Sequence, residues 1–98
     1  MGEITRVKTL SEAFSMVRER RPFVYYHSPA ARFLYHPKDA DSAIFLIAIA
    51  NDALSIENCS PIAAEMGVFL KEKPVHNIAL GEWRCYGFEL ERHELKLK

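Results

Sequence analysis

Eight consecutive residues, Ala43-Ile44-Phe45-Leu46-Ile47-Ala48-Ile49-Ala50, carry no polar side chain. A segment that is apolar on every side must be covered on every side, so this octet belongs at the centre of whatever the chain folds into. It is far short of the ~20 residues that a bilayer-spanning helix needs. A buried central strand and a buried helix both satisfy the requirement, and periodicity alone does not separate them. The β-branched content, the short length and the Asn51-Asp52 turn signal favour a strand. The rival is one helix from Ser42 to about Ile56.

The flanking sequence suggests what the octet packs against. Thr9-Leu10-Ser11-Glu12 is a capping box, and Leu10, Ala13, Phe14 and Val17 follow helical spacing, so a helix is predicted over Leu10–Arg20, ended by Pro22. Phe23–His27 is a run of β-formers and reads as a strand. The chain then carries the same punctuation twice. Ser28-Pro29-Ala30-Ala31 is followed by Pro37, and Ser60-Pro61-Ile62-Ala63-Ala64 by Pro74. Serine favours the helix N-cap and proline the first helical position, which predicts helices over 29–36 and 61–73. The second would bury Ile62, Met66, Phe69 and Leu70. Ala53–Cys59 reads as a hairpin partner of the octet, with Leu54 and Ile56 inward. Val75–Leu80 and Trp83–Glu91 read as strands joined by a Gly81-Glu82 turn, and Glu94–Lys98 pairs with the latter. The 98 residues make one domain, spanning 1–98. The architecture expected is an α+β two-layer sandwich, with about three helices on a mixed or antiparallel sheet of four to five strands.

Charge narrows the function classes. Lysine plus arginine equal aspartate plus glutamate, 13 each, giving a formal net charge of zero. The bulk attraction behind non-specific nucleic-acid binding is therefore missing, and copies of the chain do not repel one another. Two cysteines, Cys59 and Cys85, make no disulfide framework. Met1–Val7 has no signal-type apolar core, so the chain reads as cytoplasmic and reduced, with no membrane role.

Few residues stand where chemistry would need them. Cys59 precedes the Ser60-Pro61 helix start, and a thiol at a helix N-terminus has a lowered pKa; it is the candidate nucleophile if the protein is a thiol-dependent redox enzyme or sensor. Against this, no second cysteine sits at Cys-x-x-Cys spacing, and Glu57 opposes a thiolate. Ser28 lacks the glycines of a nucleophile elbow. His27, His36, His76 and His93 show no metal-ligand spacing, and no glycine-rich phosphate loop exists, so neither metal nor cofactor is expected. Arg18, Arg21, Tyr25, Tyr26, His27 and Arg32 group basic and aromatic residues as a single-stranded nucleic-acid surface does. Strand alternation lets only one of the two tyrosines face outward. Trp83, Tyr86 and Phe88 lie in the terminal strand, where an unpaired edge would template pairing with a second copy.

These readings add up to a non-catalytic binding or interaction module acting as a homodimer, its other partner a protein or small ligand. The thiol enzyme is the alternative, and the single-stranded nucleic-acid binder is the second alternative.

Overall fold

The computed structural model describes residues 4–71 and 73–97. The elements run β1 (Thr5–Val7), α1 (Leu10–Arg18), β2 (Phe23–Ser28), β3 (Ala31–Asp39), β4 (Ser42–Ala50), α2 (Ile56–Glu65), β5 (His76–Leu80) and β6 (Trp83–Glu91), followed by a 3-10 turn at Arg92–Glu94. The strands form one mixed six-stranded sheet in the order β1-β2-β3-β4-β6-β5. Only β1, which runs parallel to β2, departs from antiparallel pairing. The α+β class stands. The counts differ from expectation, with six strands in place of four to five and two α-helices in place of about three.

The apolar octet is strand β4, flanked by β3 and β6 over its whole length. Its neighbours explain the extra strands. Residues 29–36, expected to be helical, belong to a hairpin: Pro29 and Ala30 form the turn, and the Ser28 hydroxyl accepts from the Ala30 amide at 3.2 Å. From there Ala31, Phe33 and Tyr35 are buried while Arg32, Leu34 and His36 face the other way. This period-two alternation outweighs the Ser-Pro cap signal. Pro37 is tolerated because β3 overhangs β2 there, and β2 pairs no further than Tyr35, so no bond to β2 is lost.

Ser60-Pro61 does not open a helix either. Ser55 is the cap, its hydroxyl accepting from the Asn58 amide at 3.2 Å, and Pro61 lies inside α2. Proline there deprives the Glu57 carbonyl of its helical donor, but Glu57 and Pro61 are both exposed and water can serve instead. Ala53–Cys59 therefore holds a turn and the start of α2, with no hairpin partner for β4. Helix α2 stops at Glu65, where Gly67 adopts φ +84°, a left-handed conformation suited to glycine. Beyond the 3-10 turn, Leu95 bridges Val68 and not β6. Glu72 and Lys98, which the expected second helix and C-terminal pairing include, lie outside the described residues.

Both helices cover the same side of the sheet. Ala13, Met16 and Val17 of α1 and Cys59 and Ala63 of α2 join one cluster with Phe23, Phe33, Tyr35, Phe45, Ile47 and Leu90. Phe23 stacks on Tyr35 at 5.5 Å between ring centroids, and Phe33 meets Phe45 at 6.1 Å. The other side carries no helix among the described residues. No helix of the described chain is long and apolar enough to cross a membrane.

Candidate functional site

Alternation along six paired strands sends a second set of side chains to the helix-free face. Register aligns Arg6, Val24, Leu34, Leu46, Gly87 and His76 in one row. The next row runs Tyr26, Arg32, Ala48, Cys85 and Ile78. Much of this face is apolar, and parts of it are open to solvent: Leu46 is 41% exposed, Ile78 50% and Leu80 63%. Exposed apolar residues become informative when they join into a patch, and such a patch is a candidate interaction surface.

Across it runs a stack of alternating rings and guanidiniums. Arg6 lies over the Tyr26 ring with its guanidinium carbon 4.0 Å from the centroid. Arg32 lies over the same ring at 4.7 Å and over Trp83 at 4.8 Å. Arg6 and Arg32 come from β1 and β3, the two strands flanking β2, so Tyr26 stands between them. Each contact is worth about 0.5–1 kcal/mol at an exposed site, which offsets part of the entropy lost in ordering an arginine side chain. Beside the stack lies a trough of about 470 Å³ whose lining includes Val24, Leu34, Leu46 and Ala48.

The sequence cluster is thereby divided. Tyr26 and Arg32 reach the open face together. Tyr25 points into the core, its hydroxyl 3.2 Å from Nδ1 of His27. Arg18 rests 5.7 Å from the Phe14 ring on α1, and Arg21 pairs with Glu19 at 3.8 Å in the connection from α1 to β2. That exposed ion pair contributes little to stability. Arg6 and Trp83, which complete the stack, were not grouped with Arg32 by sequence. The Arg32-to-Trp83 contact depends on a pairing between distant strands, and β1 is too short to reveal a face.

The terminal-strand candidates also part. Phe88 is buried on the helical side and Tyr86 shares that side, while Trp83 faces the open side. Strand β6 is not an edge: β4 pairs with it on one flank and β5 on the other. The edge on that side of the sheet is β5, one strand earlier in the chain. Gly81-Glu82 forms a two-residue turn, with Gly81 at φ +61°. Such a turn makes Leu80 and Trp83 a hydrogen-bonded pair. By alternation Ile78 and His76 bond inward to β6, and the main-chain groups of Asn77 and Ala79 point outward.

Cys59 lies within the second turn of α2 and is fully buried, so it does not sit at the helix start that would activate it. Burial, with a smaller contribution from the Glu57 charge, pushes its thiol up to about 11 from an ordinary value of 9.0. A thiol so placed is protonated at neutral pH and out of reach of a substrate. Cys85 is half-buried on the open face. Among the described residues no group of three or more His, Cys, Asp or Glu side chains could hold a metal ion.

Compared with protein-family models, with curated proteins and with solved structures, the chain matches none of them.

Proposed function

We propose that the protein is a non-catalytic binding module acting as a homodimer, the two copies joined along β5. The observation that carries this reading is the character of that edge. All five residues, His-Asn-Ile-Ala-Leu, are exposed, and none is Lys, Asp, Glu or Pro. Sheet edges are ordinarily blunted by charge, proline, bulges or brevity, because unpaired main-chain groups attract another strand. The opposite edge, β1, is blunted: it has three residues, includes Arg6 and is followed by Lys8. Along β5, a symmetric antiparallel partner centred on Ile78 sets Asn77 against Ala79 of the second copy. Those are the residues whose main-chain groups face outward, so the arrangement forms about four new hydrogen bonds. Ile78 meets its own counterpart on the open face. Zero net charge places no electrostatic penalty on the encounter.

Light scattering across the micromolar range tests this. The wild-type chain should show a concentration-dependent dimer. Ala79→Pro removes an outward N–H that β6 does not use, and Ile78→Lys places a charge on the edge; each should give a monomer that melts close to wild type. A wild-type monomer throughout, or a proline variant that dimerises as tightly, would contradict the proposal.

A single-stranded nucleic acid is the second reading, favoured by Tyr26, Arg32 and Trp83 sharing one face. It is the weaker one. Bases stack on free ring faces, and Tyr26 already has a guanidinium on either side. Binding of an oligonucleotide that weakens steeply with salt would support it; no binding at low salt would remove it.

A further inference from the structure

The trough beside the stack has a chemistry that pairing along β5 leaves unused. Among the described residues its walls are aliphatic apart from Tyr26, Arg32 and Cys85, and none of those lining it is acidic. Arg32 stands at its border, and Arg6 is held against the far side of Tyr26. Among the described residues neither arginine has an ion pair or a side-chain hydrogen bond; the arginines that do are Arg20, Arg21, Arg84 and Arg92. A guanidinium that lies over a ring keeps N–H donors available for a second partner. The result is two positive charges, each lying over an aromatic ring and without a counter-charge among the described residues, next to an apolar floor. Ligand sites combine these elements: a concavity of a few hundred Å³, mostly apolar, with a small number of placed polar groups.

We infer that this trough binds a free anionic amphiphile, a medium-chain carboxylate. Its head would be held by the N–H edges of Arg32 and Arg6, and its tail would lie over Leu34 and Leu46 toward Cys85. A carboxylate accepts paired hydrogen bonds from one guanidinium, which a neutral head cannot match. From β2 to β6 the sheet spans three inter-strand gaps, roughly 14 Å, the reach of a medium acyl tail. Trp83, the only tryptophan in the chain, stacks on Arg32 and so reports on the site.

The test is calorimetry on the full chain with decanoate and decyltrimethylammonium, followed in parallel by Trp83 emission. Decanoate should give saturable one-to-one heat and a change in emission, and the cationic amphiphile should give neither. An Arg6→Gln/Arg32→Gln double variant should bind decanoate at least about tenfold more weakly, the loss of charge-assisted hydrogen bonds. Ala79→Pro should bind it as wild type does, so failure of dimerisation along β5 and failure of this site are separable. Equal binding of the cationic amphiphile, unchanged affinity in the double variant, absence of saturation, or binding only to phosphatidylglycerol vesicles would each overturn the inference.

Discussion

Alkylation of Cys59 should be slow, and its pH dependence should report the fold. The variant to use is Cys85→Ser, which leaves one thiol and alters only a half-buried position. Cys59 is 0% exposed, so a reagent reaches it only after opening. A domain of this size is stable by at least about 5 kcal/mol, and if the whole domain must open, reaction at pH 8 falls about three orders of magnitude or more below that of the unfolded chain. Thiolate content is the smaller effect. With the thiol raised from 9.0 to about 11 the native thiolate fraction at pH 8 drops about a hundredfold, and that fraction is buried as well. The sign follows from linkage. The folded state holds the proton more tightly than the unfolded one. Its contribution is therefore intact below pH 9 and is lost as pH rises toward 11, about 2–3 kcal/mol in all. Because reaction passes through the opened chain, its rate should climb about tenfold per pH unit through 9 and level only near 11. Iodoacetamide kinetics from pH 7 to about 11, with a urea series to show that opening is required, measures this. A plateau at or below pH 9, or alkylation at the free-thiol rate without urea, would refute the burial argument and revive the thiol enzyme.

Other perturbations bear on the core. Tyr35 is fully buried, and its hydroxyl has no hydrogen-bond partner among the described residues; burial raises its pKa above 10.0, partly offset by the Arg20 charge. Tyr35→Phe should leave urea stability unchanged or higher by about 1 kcal/mol, since an unsatisfied buried group is removed, and should reduce the loss of stability above pH 10. Phe45 packs against Phe33 at the centre of the sheet, so Phe45→Ala should cost about 3–5 kcal/mol by the same measurement. Gly67→Ala should cost about 1–3 kcal/mol, because φ is +84° there and a Cβ would lie 2.9 Å from Cβ of Lys96. A neutral Gly67→Ala would mean that the turn after α2 is built differently.

What could be read from sequence depended on the range of the interaction. Helix α1 was legible because its cap is local: the Thr9 hydroxyl accepts from the Glu12 amide, three residues on. The octet was legible as a central element from its apolarity, and as a strand only with the help of its short length, β-branched residues and the Asn51-Asp52 turn signal. The Ser-Pro units misled because a cap residue is a weak local preference, whereas the alternation of Ala31, Phe33 and Tyr35 buries three side chains and dominates the energy. That alternation is itself in the sequence, and it separates Tyr26 and Arg32 from Tyr25. The identity of the free edge was not legible. Placing β5 outside β6 depends on β6 pairing with β4 across an intervening helix, a contact that no local pattern encodes. Arg6 joins the stack for the same kind of reason, through a parallel pairing of only three residues.

Amide exchange along β5 reads the proposed pairing residue by residue. His76 and Ile78 bond inward to β6, and Asn77 and Ala79 face outward. At high protein concentration all four amides should be protected. On dilution below the dimerisation range, Asn77 and Ala79 alone should revert to exchange near the unprotected rate. Unprotected exchange of Asn77 and Ala79 at every concentration would contradict the account.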